Sequence, residues 1–152
     1  MNAQRPAHIL IADDDQDDCL ITREAFAECR IGNPLHFVHD GEALLDYLWR
    51  RAPYDDEERY PLPGLILLDL NMPRMDGREA LHAIKSDALL RGIPVVVLTT
   101  SSAEEDILRS YNMGSNSFIT KPVTYTGLIE VVKTLGRYWL EIVELPTDSK
   151  PV

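Results

Sequence analysis

Residues 65–73 read Leu65-Ile66-Leu67-Leu68-Asp69-Leu70-Asn71-Met72-Pro73, "LILLDLNMP", and this stretch decides the fold. Its first four residues are apolar without a break. A strand with one wet face alternates apolar and polar residues. A strand covered on both faces reads as a continuous apolar run. Ile9-Leu10-Ile11-Ala12 and Val95-Val96-Val97-Leu98 repeat the pattern, and His36-Phe37-Val38-His39 and Ser117-Phe118-Ile119 are shorter strand candidates. Between these runs the apolar residues recur at helical spacing. Leu20, Ile21, Ala25 and Phe26 form one stripe; Ala43, Leu44, Tyr47 and Leu48 a second; Ala80, Leu81 and Ile84 a third; Ile107, Leu108 and Tyr111 a fourth. The last helix is expected over Leu128 to Ile142. The order is (βα)5, which predicts an α/β domain built on a doubly wound, five-stranded parallel sheet.

Helix boundaries fit this plan. Asp76-Gly77-Arg78-Glu79 and Ser102-Ala103-Glu104-Glu105 have capping-box spacing, and Gly114 is placed to stop the fourth helix. Ala52 to Gly64, "APYDDEERYPLPG", reads as a polar, proline-bearing loop and the main insertion.

Composition excludes several functions. The 152 residues, 45% of them hydrophobic, suit one domain of ordinary size. A formal net charge of −10 opposes autonomous nucleic-acid binding. No run approaches the ~20 apolar residues that span a bilayer. "MNAQRPAH" has no apolar leader segment, so the expected compartment is the cytoplasm. Cys19 and Cys29 are ten residues apart on one expected helix, about 15 Å at ~1.5 Å per residue, beyond the ~7 Å reach of a disulfide. Two reduced, inert thiols are the expectation, and they suit the same compartment.

Sites in an open parallel sheet form beyond the carboxyl ends of its strands. Asp13 and Asp14 follow the first apolar run, Asp69 the third, Thr99 the fourth and Lys121 the fifth. Adjacent strand ends lie ~5 Å apart, so these groups converge. Oxygen donors of this kind suit Mg²⁺, and the hydroxyl and ammonium suit an incoming anion. No histidine or cysteine triad and no glycine-rich phosphate loop is expected at these ends.

Asp13 and Asp14 begin the run "DDDQDD", five acids in six positions, whose charges repel. Asp15, Asp17 and Asp18 read as helix-start acids, favoured by the helix dipole. Asp13, Asp15, Asp17 and Glu24 also fall at positions 1, 3, 5 and 12 of a calcium-binding EF-hand loop. That loop needs glycine where Asp18 stands and a preceding helix where a strand is expected, so it is set aside.

The acid pair after the first strand, "LLDLNMPRMDG", "PVVVLTT" and "FITKP" together resemble the receiver domain of two-component response regulators. Their order and spacing agree from about His8 to Arg137. The long loop before "LILLDLNMP" and the terminal "YWLEIVELP" resemble the single-domain regulators of phytochrome-type histidine kinases. The resemblance implies the flavodoxin-like receiver fold, with residues 1–7 as a tail, 8–140 as the receiver (52–64 inserted) and 141–152 as an extension. It implies Asp69 as the phosphoacceptor. It implies Mg²⁺ held by Asp14, Asp69 and the backbone carbonyl of Asn71, with Asp13 acting through water. Thr99 and Lys121 would bind the phosphoryl group, and Asn71 and Ser101 would tune its hydrolysis. A cis bond is implied at Lys121-Pro122. Two departures stand out: Thr100 replaces the usual alanine, and Phe118 occupies an aromatic switch position where tyrosine is common and can hydrogen-bond.

The resemblance implies a phosphoprotein that catalyses only its own phosphotransfer and dephosphorylation, with a sensor histidine kinase, of phytochrome type, as partner. Two other classes share these residues: a Mg²⁺-dependent phosphohydrolase with Asp69 as nucleophile, and a receiver-like interaction module that takes no phosphate. The phosphohydrolase lacks a second acid, since Asn71 stands in its place. Leu128, Val132, Leu135, Trp139 and Ile142 follow 4-3-4-3 spacing, and Ile129, Val131 and Tyr138 widen the apolar surface. That excess suggests packing on the chain's own tail or fifth strand, or a homodimer through the last helix and its extension.

Overall fold

A computed structural model describes residues 7–137 except 71, 73, 76, 100–116, 121 and 123; the side chains of Thr99, Ser117, Phe118 and Thr120 also lie outside that description. The described elements are β1 (Ile9–Ala12), α1 (Gln16–Glu28), β2 (Leu35–Val38), α2 (Gly41–Leu48), β3 (Leu65–Asp69), α3 (Gly77–Lys85), β4 (Val95–Thr99), β5 (Ser117–Thr120) and α4 (Tyr125–Leu135). The strands form one parallel sheet in the order β2-β1-β3-β4-β5. The chain moves outward from β1 to β2, then returns to place β3 on the other side. The switch point, where such sheets bind ligands, therefore lies between the carboxyl ends of β1 and β3.

The apolar runs explain the layers. Successive side chains of a strand point to opposite faces. Leu10, Ala12, Ile66, Leu68, Val95 and Val97 join Leu44, Leu48, Leu81 and Ile84 of α2 and α3 on one face. Ile9, Ile11, Leu65, Leu67 and Val96 join Ala25 and Phe26 of α1 and Val132 and Leu135 of α4 on the other. Both faces are dry, which is why no polar residue interrupts the central strands. Each fully buried leucine or isoleucine contributes about 1.5–3 kcal/mol, so these strands hold their ends firmly.

Several boundaries differ from the sequence expectation. β2 runs Leu35–Val38, so His39 is the first residue past the strand and not its last. α4 begins at Tyr125, three residues before Leu128, because Thr124 caps it and accepts from the Gly127 amide at 3.0 Å. Ile129 and Val131 pack against the chain's own core, which accounts for part of the wide apolar surface of that helix. Trp139, Ile142 and Tyr138, the helix at Ile107–Tyr111, the caps at Asp76 and Ser102, the stop at Gly114 and the Lys121-Pro122 bond lie outside the described residues. Cys19 and Cys29 are both free thiols.

The loop 52–64 is not merely polar. Tyr54 and Tyr60 fold back onto Tyr47 of α2, with ring centroids 5.3 and 5.7 Å from it, and the Tyr47 hydroxyl donates to the Pro61 carbonyl at 3.0 Å. Tyr60 and Tyr47 also flank His36 of β2, and the Arg59 guanidinium covers the outer Tyr60 ring. His36 Nε2 lies 2.8 Å from His8 Nδ1. Their planes differ by 11° and their centroids are 5.1 Å apart, which is the N···N distance plus a ring radius at each end. The imidazoles therefore meet end to end and share a proton; they do not stack face to face.

Burial, and then His8, push the His36 pKa below its ordinary 6.5. An unfolded histidine takes up a proton near 6.5 that folded His36 refuses, so stability falls as the pH drops below that value toward the depressed one. The urea midpoint of the wild-type chain should fall between about pH 7.5 and 5.5 more steeply than that of His36→Phe. Equal pH dependence in the two proteins would contradict this.

Candidate functional site at the switch point

Asp13 continues the β1 ladder by one bond, its amide donating to the Val38 carbonyl at 3.0 Å. The Asp15 amide donates to Asp13 Oδ1 at 3.0 Å. Asp15 is the N-cap of α1, accepting from the amides of Asp17 and Asp18 at 2.9 and 3.2 Å. The acid run therefore divides: Asp13 and Asp14 face the strand ends, while Asp15, Asp17 and Asp18 build the first turn of the helix. A strand before the run and α1 directly after it leave no EF-hand.

Asp69 is the last residue of β3. The chain beyond it is clamped from two sides. The Gly77 amide donates to the Leu70 carbonyl at 2.9 Å, and the Gly41 amide to the Met75 carbonyl at 3.0 Å. A Cβ at either glycine would strike backbone, Asp69 and Leu70 in one case and Met75 in the other. Arg74 takes a left-handed conformation at φ 67° and places Nε 3.7 Å from Asp40 Oδ2. Asp40 Oδ1 meanwhile caps α2 through the Ala43 amide at 2.7 Å. The loop that leaves Asp69 is thus tied to the N-termini of α2 and α3.

These constraints bring one carboxylate oxygen each from Asp13, Asp14 and Asp69 within 4.8 Å of one another. Asp13 is 5% exposed and Asp69 8%, while Asp14 is open to solvent. Two like charges 4 Å apart repel by about 4 kcal/mol at an effective dielectric near 20. A divalent cation at the centre reverses that sign. Hard oxygen donors with one solvent-facing side are the donor chemistry of a Mg²⁺-type ion, so the residues fit such a group.

Thr99 ends β4, and the neighbouring ladder pairs Asp69 with Leu98, so Thr99 stands at the same end of the sheet. Phe118 lies in β5 opposite Val97. Lys121, Asn71 and Ser101 lie outside the described residues. A crevice lined by Asp13, Asp69, Leu98 and Pro122 runs from the acids toward α1 and α4. A second groove, lined by Asp18, Ile21, Thr124 and Tyr125, shares Thr22, Pro122 and Leu128 with it.

The partners on the back of Asp13 are not legible in the local sequence pattern. His39 Nδ1 is 3.0 Å from the Asp13 carbonyl oxygen and Cys19 Sγ is 3.6 Å from it, contacts to the backbone that the expectation of no histidine or cysteine triad does not address. The rule that found Asp13, reading the residue after each strand, finds His39 once β2 ends at Val38.

Residues 9–133 match the model of the response regulator receiver domain. The chain is 39% identical over 141 residues to the response regulator Rcp1 of Synechocystis sp., covering 93% of this chain and 94% of that one. The phosphorylated cyanobacterial phytochrome response regulator RcpA superposes with a TM-score of 0.86 at 39% identity, over 93% of this chain and 99% of its own. The Mn²⁺-bound form of Rcp1 superposes at 0.84 and 39% identity, over 93% and 100%. Among the described residues, no helix is long and apolar enough to cross a membrane.

Proposed function

The chain belongs to the response regulator receiver domain family, and from that premise we propose that it accepts a phosphoryl group on Asp69 from a sensor histidine kinase of the phytochrome type. The observation that carries this is the triad of Asp13, Asp14 and Asp69, gathered at the switch point with Asp69 nearly buried. Asp14, Asp69 and the Asn71 backbone carbonyl are the proposed holders of Mg²⁺, with Asp13 acting through water. Bound there, the ion supplies charge neutralisation for the equatorial oxygens of the transferring group.

The remaining work falls to the chain. An Asp69 carboxylate oxygen forms the new P–O bond as the P–N bond to the kinase histidine breaks, and the imidazole leaves with the electron pair. Lys121 neutralises the phosphoryl oxygens and Thr99 hydrogen-bonds one of them. Asn71 and Ser101 orient or obstruct the water that later hydrolyses the acyl phosphate. Phe118 has no hydroxyl, so any reorientation it makes is read through ring packing alone. The receiver unit spans 8–140 with 52–64 inserted, and acts in the cytoplasm, where a kinase meets its regulator. Trp139, Ile142 and Tyr138, with the extension 141–152, support a homodimer; a light-scattering mass of one chain at micromolar concentration would remove that part of the proposal.

Acetyl phosphate with Mg²⁺ tests the reaction without a kinase. Uptake of one phosphoryl group followed by spontaneous loss supports a receiver. Turnover of varied phosphate esters would support a phosphohydrolase, and no uptake an interaction module.

A protein donor needs a docking face next to Asp69. Leu20 is 61% exposed, Ile21 38% and Tyr125 45%, and the last two line the groove beside the acid crevice. These exposed apolar side chains beside the acid crevice are the proposed docking face. Ile21→Glu should slow transfer from the cognate kinase about tenfold while leaving uptake from acetyl phosphate unchanged. Equal slowing from both donors would place the defect in the site and not in docking.

A further inference from the structure

Among the described residues, the backbone and carboxylate of Asp13 are held at three points, and the third is supplied by side chains that the sequence pattern does not reveal. The first is its amide, bonded to the Val38 carbonyl, and the second is Oδ1, bonded to the Asp15 amide. The β1–β2 register ends at Ala12 and Val38, and Asp40 two residues on is committed to capping α2. At the Asp13 carbonyl, side-chain donors take over from the ladder. A carbonyl oxygen only accepts, so the His39 nitrogen facing it at 3.0 Å, Nδ1, is the one that carries the proton. Cys19, from the second turn of α1, brings its thiol to 3.6 Å of the same oxygen and 4.0 Å of His39 Nδ1. Cys19 is buried while His39 lies at the rim of an open groove shared with Gln16, Arg23 and Phe37.

The amide of Asp13 is fixed by the ladder, so the direction of its carbonyl sets the rotation about the Cα–C bond and with it the path of the chain into Asp14 and Asp15. A turned carbonyl would move Asp14 away from Asp69 and withdraw the Asp15 amide from Asp13 Oδ1. We propose that His39 is a positioning residue for the cation site: by donating to the Asp13 carbonyl it fixes the chain's path into Asp14 and into the Asp15 amide that holds Asp13 Oδ1, and so sets how the Asp13 and Asp14 carboxylates meet Asp69. This rests on the reading of that triad as the Mg²⁺ site. Partners that orient a metal-holding group without touching the metal commonly matter about 10- to 100-fold in affinity. His39 acts through the backbone and not on a group that touches the ion, so the lower end is expected.

The test is the Mg²⁺ dissociation constant by calorimetry for the wild-type chain, His39→Leu and His39→Asn, with urea unfolding of each in chelator. Asparagine places an amide N–H where the imidazole Nδ1–H stood. His39→Leu should weaken Mg²⁺ about tenfold, and His39→Asn should restore it to near the wild-type value. The unfolding midpoints should not follow that order. An unchanged Mg²⁺ affinity in His39→Leu, or a His39→Asn protein as weak as His39→Leu, would overturn the proposal. If His39→Leu does not fold, His39→Asn against His39→Ala gives the same contrast. A wild-type chain that binds no Mg²⁺ would overturn the reading of the triad itself, a result distinct from unaltered binding in the variants.

Discussion

Asp69→Asn is expected to take up no phosphoryl group from acetyl phosphate and to keep the wild-type fold. The amide has the carboxylate's shape but no nucleophilic oxygen, so the P–O bond cannot form. Its effect on stability has the opposite sign to its effect on chemistry. In the cation-free chain Asp69 stands with its carboxylate among those of Asp13 and Asp14, all within 4.8 Å. Removing one of three like charges relieves repulsion of up to about 4 kcal/mol per 4 Å pair at an effective dielectric near 20. In chelator the variant should therefore unfold at equal or higher urea than the wild type, and Mg²⁺ should stabilise it less. The two readouts are hydroxylamine-sensitive phosphate and the urea midpoint with and without Mg²⁺. Uptake at the wild-type rate would place the phosphoacceptor elsewhere.

Gly77→Ala should have the second-largest effect. Gly77 opens α3 and its amide holds the Leu70 carbonyl at 2.9 Å. An added Cβ would collide with the Asp69 carbonyl and Leu70 Cα, and both are backbone, which cannot swing aside as a side chain can. Overpacking of this kind costs about 1–3 kcal/mol, sometimes more. It also pushes on the peptide of the phosphoacceptor, so phosphoryl uptake should fall with stability. Gly92→Ala is the control, because nothing lies within 4 Å of a Cβ there. It should stay within about 0.5 kcal/mol of wild type. Urea unfolding of both variants checks the contrast, and a Gly77→Ala protein as stable and as active as Gly92→Ala would contradict it.

The parts of the molecule legible in the sequence are those set by local, repeated chemistry. Leu65–Leu68 and Ile9–Ala12 announce strands buried on both faces, and the two cores on opposite sides of the sheet are that pattern realised. From strands come strand ends, and from strand ends come Asp13, Asp14 and Asp69. What the pattern missed depends on contacts between distant residues or on a one-residue boundary. Tyr54 and Tyr60 sit in a segment rich in acids and prolines, and nothing local shows that they close over Tyr47 and His36. The strand pattern extends to His39, one residue past the real end of β2, and so hides it from the rule that reads the residue beyond a strand. α4 starts early because a single hydroxyl, that of Thr124, satisfies its first turn.

The central claim is that Asp69 carries the phosphoryl group and that the neighbouring acids serve it through a cation. Borohydride trapping of the acyl phosphate, followed by peptide mass mapping, reads this directly. With Mg²⁺ and acetyl phosphate, the reduced residue should be Asp69 alone, and chelator should abolish the product. Trapping at Asp13 or Asp14, or equal product in chelator, would contradict the account.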